Sequence, residues 1–123
     1  MFKIIWLLKR KDGVSFEQFR DHYENSHSVL GRKYFGHLML GYRRNYNLAH
    51  QAGGHASAAG MRLSEYDCIA EWELRDEEAF GEFKRIFADK EISRIFLDDE
   101  EHFLDSQSTR LVICDTQDTG TAD

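Results

Sequence analysis

The chain lacks net positive charge, has only two cysteines, contains no long apolar run and has no proline at all. A formal charge of −6 disfavours a nucleic-acid partner, whose phosphates would demand a basic surface. Cys68 and Cys114 cannot build a disulfide framework or a zinc knuckle at that separation. Both sit in alternating apolar runs, where cysteine behaves as a small buried hydrophobe, so a reducing, cytoplasmic setting is the natural inference. The opening run FKIIWLL is too short to cross a bilayer, and no small-residue cleavage site follows it, so neither a membrane span nor a signal peptide is expected. No phosphate loop, dinucleotide fingerprint or flavin motif occurs, and no cofactor is expected. His50 and His55 lie in a small-residue stretch without companion ligands, and His22 and His27 stand five apart, so they project in different directions. No metal site is expected from either pair.

What the chain does have is enough apolar material for one core. With 123 residues, 41% hydrophobic and 13% aromatic, it suits a single compact domain over residues 1–116 and a frayed tail over 117–123. Its charge is lopsided. Residues 1–44 carry nine Lys/Arg against four Asp/Glu, a net of +5 that leaves −11 for the rest, and the plainest reading is solvated surface charge.

FKIIWLLKR reads as a first strand closed by the turn KDG. Ser15 then precedes an apolar periodicity with Gln18 three positions on, a capping box that starts a helix. Gly31 and Gly36 mark the end of that helix. Residues 37–48 alternate as a second strand, and 49–62 form a flexible, glycine-rich loop. EYDCIAEWEL is a third strand, with Tyr66, Cys68, Ala70, Trp72 and Leu74 on one face and Asp67, Ile69, Glu71 and Glu73 on the other. Asp76 caps a helix whose stripe is Phe80, Phe83 and Phe87, and a further helical stretch carries Ile92, Ile95, Phe96 and Phe103. TRLVICD is the last strand. The order β-α-β-β-α-(α)-β is that of an α+β, ferredoxin-like βαββαβ domain with a four-stranded antiparallel sheet. Helices on one side leave the other sheet face open. Because the first strand is apolar on both sides, a second copy should cover that face, making a homodimer and a dimeric α/β barrel.

On a regular helical wheel Phe16, Phe19, Tyr23, His27 and Leu30 fall within roughly 80° of one another. A phenol and an imidazole therefore point at the sheet, one turn apart. Imidazole changes charge between pH 5 and 8 and can take a proton from a phenol or an activated C–H, and Tyr23 could donate to the oxyanion that forms. Asp67 and Glu71 share one strand face and could orient His27 or act as bases themselves. Trp6, Tyr42, Tyr66 and Trp72 could line a pocket for a planar ligand. Each of these has a plainer alternative, a satisfied core histidine or an ordinary core aromatic.

FKIIWLLKRKDGVSFEQFRDHYENSH resembles the opening of EthD-domain proteins of the dimeric α/β-barrel superfamily, with Phe16, Phe19, Tyr23 and His27 carrying the match. YDCIAEWELRDEEAF is similar to the family's later signature through Asp67 and Glu71, and FLD at 103–105 to its run before the last strand. The similarity spans about residues 2–115, and the chain departs from it at Val29, where the family often has proline. The resemblance implies a small pocket between sheet and helices with His27, Tyr23 and Asp67 as catalytic candidates and Trp6, Tyr42, Tyr66, Glu71 and Trp72 as substrate contacts. It implies a cofactor-independent acid/base enzyme of lyase, isomerase or cyclase type, acting on a small hydrophobic, aromatic or polyketide-like substrate. A cofactor-free monooxygenase, a heme-degrading relative and a non-catalytic binding or accessory protein are the alternatives.

Overall fold

The computed structural model of the chain describes residues 1–52 and 60–121. Four strands, β1 (Phe2–Leu8), β2 (Met39–Tyr46), β3 (Cys68–Leu74) and β4 (Arg110–Asp115), form one sheet in the order β2-β3-β1-β4. Every neighbouring pair is antiparallel. Helices α1 (Phe16–His22) and α2 (Ser28–Phe35) lie between β1 and β2, and α3 (Glu77–Phe87) and α4 (Lys90–Glu100) between β3 and β4. This is the ferredoxin-like α+β arrangement expected from the element order. No described helix is long and apolar enough to cross a membrane.

Local sequence sets the helix starts. Ser15 Oγ accepts from Gln18 N–H at 3.1 Å while Gln18 Oε1 accepts from Ser15 N–H at 2.9 Å, the reciprocal box read from the sequence. Asp76 caps α3 through Ala79 N–H, and Asp89 caps α4 through Glu91 and Ile92 N–H. The strand alternation also holds: Cys68, Ala70, Trp72 and Leu74 of β3 are buried under the helices.

Two readings need correction. Gly31 does not end the helix but lies buried inside α2, where a Cβ would meet the Tyr42 ring at 3.4 Å; the missing side chain lets helix and sheet approach closely. The last helix stops at Glu100, and Phe103 reaches the core from the segment after it, next to the bridge between Arg10 and Leu104. Ile95 of α4 is exposed. The expected loop at 49–62 lies partly outside the described residues, as does His55. Its ends are a 3₁₀ turn at Leu48–His50 and irregular chain from Gly60 onward.

The core has two parts. One gathers Ile4, Phe35, Trp72, Phe83 and Phe96; the other gathers Leu8, Phe19, Tyr23, Cys68 and Phe103. Trp6 and Tyr42 pack against both. The second part hangs on Phe19, fully buried and tilted against Phe103 with ring centroids 5.4 Å apart. Phe19→Ala should lower unfolding free energy by about 3–5 kcal/mol in urea titrations. A loss below about 1 kcal/mol, the cost expected for Ser15→Ala at the exposed cap, would show that this cluster does not carry the fold.

Candidate active site

The helical segment after α1 does not keep its 3.6-residue period. Tyr23–His27 is a π-helical turn, and Ser28 N–H donates back to Tyr23 O, five residues earlier. The wider turn brings residues five apart onto one side, so His22 and His27 converge instead of diverging. His22 Nε2 lies 3.0 Å from Asp99 Oδ1 and His27 Nδ1 lies 2.9 Å from Asp99 Oδ2. Ser26 Oγ, from the same turn, donates to Asp99 Oδ1 at 2.6 Å. On its other flank the turn is tied to β2: Arg44 reaches Glu24 with two hydrogen bonds of 2.8 and 2.6 Å, and the Tyr46 hydroxyl donates to the same carboxylate. The Arg44 hydrogen bonds hold Glu24 below the usual carboxylate range.

Asp99 decides the tautomers. Burial pushes its carboxyl up, but the hydrogen bonds from His27 and Ser26 and the two nearby imidazoles outweigh that and bring it down to about 2. An ionised carboxylate only accepts, so His27 Nδ1 and His22 Nε2 carry the hydrogens. Nε2 is then the available nitrogen of His27, free to take a proton when the ring is neutral.

His27 lines a cavity of about 80 Å³ between sheet and helices. That is several times the ~10–15 Å³ one water requires. Its walls come from both parts of the core, with Trp6, Tyr42 and Trp72 from the sheet, Phe83 and Phe96 from α3 and α4, and Tyr23 beside His27. Tyr42 Oη donates to Tyr23 Oη at 3.1 Å, which leaves Tyr23's own hydrogen free for a guest. Burial raises Tyr23 well above the ordinary phenol value and Tyr42 to about 12, so both stay neutral donors across the working pH range.

Of the residues read from the sequence, His27, Tyr23, Trp6, Tyr42 and Trp72 meet at this cavity; Asp67, Tyr66 and Glu71 do not. Asp67 and Tyr66 precede β3, and the Asp67 carboxylate accepts from Arg10 N–H at 2.8 Å and meets His50 Nδ1 at 2.7 Å. Glu71 projects from the face away from the helices, 3.5 Å from Lys3 Nζ. The partner of His27 is Asp99, not Asp67. Asp99 and the neighbouring Glu100, which also lines the cavity, were missed by sequence reasoning, although α4's four-residue spacing of Phe96 and Glu100 puts both on the inward side. Among the described residues, no group of three or more His, Cys, Asp or Glu side chains is placed to hold a metal ion.

The EthD-domain family profile matches residues 11–107, most of the chain. The chain belongs to the EthD family. Solved structures agree on the fold. A crystal structure of an Arabidopsis thaliana protein superposes with a TM-score of 0.63 at 20% identity, covering 98% of this chain and all of that one. A Bacillus halodurans EthD family protein gives 0.62 at 20% identity, covering 95% of this chain and 99% of its own. An Agrobacterium tumefaciens protein gives 0.59 at 16%, covering 97% and 96%. No curated protein sequence matches significantly. In this EthD domain the helix motif after β1 is thus a π turn that aims His27, and the helix runs on through Val29, where the family often has proline.

The Asp99 cluster has a pH signature. Its carboxyl is depressed to about 2 in the fold, so its stabilisation is complete above the unfolded carboxylate range, near pH ~4, and is lost as pH falls through about 2. Between pH 5 and 2 the melting temperature of the wild type should therefore fall more steeply than that of Asp99→Asn. Parallel curves would contradict the assignment.

Proposed function

We propose that this EthD domain is a cofactor-independent acid/base enzyme, of lyase, isomerase or cyclase type, acting on a small hydrophobic carbonyl or phenolic compound with a planar ring. The observation that carries the reading is the 2.9 Å contact between His27 Nδ1 and Asp99, which orients a histidine of an aromatic cavity and reserves its Nε2 for chemistry. Nε2 takes a proton from an activated C–H or O–H. The electron pair moves to the substrate oxygen, where Tyr23, itself accepting from Tyr42, donates to the oxyanion. A positioned base is worth about 10²–10⁴-fold in rate and one oxyanion donor about 3 kcal/mol. The apolar walls exclude water and strengthen both interactions.

The same proposal includes a homodimer. Ile5 pairs with Val112 and Leu7 with Ile69 across neighbouring strands, so all four share the sheet face that carries no helix. Val112, on the edge strand β4, is 41% exposed. A second copy packed on this face would bury the row and complete a dimeric barrel. Leu7→Lys should shift sedimentation equilibrium toward monomer at micromolar concentration; a wild type already monomeric there would refute the dimer.

2-Indanone, a neutral planar ketone with acidic α-hydrogens, tests the chemistry. In D₂O the wild type should exchange those hydrogens faster than buffer does, as read by proton NMR. His27→Ala should abolish the acceleration, and Tyr23→Phe should reduce it by about 10²-fold. Binding of 2-indanone without exchange would favour the non-catalytic binding protein.

A further inference from the structure

The cavity holds a second carboxyl that the mechanism above leaves unused. Glu100 lies one turn beyond Phe96 on the same face of α4, and the Phe96 ring stands edge-on to His27 with centroids 5.7 Å apart. Its chain neighbour, Asp99, turns the other way to hold His22, Ser26 and His27. Glu100 lines the cavity wall, and among the described residues its carboxyl makes no hydrogen bond or ion pair. The ionisable groups that face it are His27 from the π turn and Asp99 on its own helix, and Tyr23 lines the same cavity. We propose that the Glu100 carboxyl is the second proton-handling group of this cavity, giving its proton to a substrate oxygen as His27 Nε2 takes one from the adjacent carbon.

The inference rests on the acid/base reading of His27. In it, the C–H bond breaks toward Nε2, the electron pair forms C=C, and the carbonyl oxygen takes the Glu100 proton while Tyr23 hydrogen-bonds its other lone pair. The products of the step are a neutral enol, an imidazolium and a carboxylate, with atoms and charge balanced. Reversal returns the O–H proton to Glu100 and delivers a solvent-exchanged deuteron to carbon. Burial raises the Tyr23 hydroxyl well above the ordinary phenol value, which leaves Glu100 the stronger acid of the two. Burial acts on Glu100 in the same direction, with His27 opposing and Asp99 adding to it, and raises the carboxyl from its ordinary value. The substrate class is thereby narrowed to carbonyl compounds that enolise, and the reaction to proton relocation.

Two measurements decide it. Carboxyl ¹³C NMR of the full chain labelled at glutamate, with the signal assigned through Glu100→Gln, should show Glu100 titrating above the other glutamates. Titration together with the surface glutamates overturns the inference whatever the turnover. In the 2-indanone exchange assay, wild-type rates should fall on the alkaline side as that signal titrates. Glu100→Gln should remove this limb and slow exchange by about 10²-fold. If Glu100→Gln leaves rate and profile unchanged while His27→Ala abolishes exchange, Glu100 is not catalytic and the His27 reading survives. If the wild type never exceeds buffer, the His27 reading fails and this one falls with it.

Discussion

One carboxylate holds the site together. Asp99 receives two imidazole N–H groups and a serine hydroxyl, all from the six residues His22 to His27, on a single pair of oxygens. A half-buried charge without such donors would be costly, and three of them offset the loss of water. The same bonds pin the π turn against α4, while Glu24, Arg44 and Tyr46 pin it against β2. A π turn makes poorer backbone hydrogen bonds than the α-helix it interrupts, and tertiary partners must compensate for that. Here the compensation comes from side chains of both flanking elements, and the geometry of His27 follows from it.

The cavity lies where the two parts of the core fail to merge. Tyr23 belongs to one part and Trp72 to the other, and Trp6 and Tyr42 bridge them. Rings meeting edge-on leave space that aliphatic side chains would close, and Trp6, Trp72 and Phe83 meet this way with centroids 5.2–6.0 Å apart. Gly31 adds to the opening, since its bare Cα gives the Tyr42 ring its place beside the cavity. The opening therefore follows from large flat side chains and one absent Cβ.

Much of this was readable from residues close together in the chain. The Ser15–Gln18 box is a contact within one turn, and the buried face of β3 follows from a period of two that nothing disturbs. The stripe of Phe16, Phe19, Tyr23 and His27 was right about which residues turn inward. It was wrong about His22, because a wheel drawn at 100° per residue presumes the period that the π turn breaks. Asp99 was out of reach for a different reason: it is 72 residues from His27, and an acidic run on α4 does not say which carboxyl turns inward. The same alternation that buries Trp72 puts Asp67 on the opposite strand face, away from His27.

Asp99 and Glu100 show why position in the chain says little about the state of an acid. They are adjacent, share a helix turn and face the same histidine. Asp99 meets three donors and stays ionised far below neutrality. Among the described residues Glu100 meets aromatic walls and no hydrogen-bond donor, and burial moves it the other way. In the proposed mechanism two carboxyls driven apart by their surroundings divide the labour, one remaining a fixed charge that orients the base and the other giving a proton. Exchanging their environments would exchange their roles. The chemistry of the site is thus written in the packing of α4 against the π turn more than in the identity of either residue.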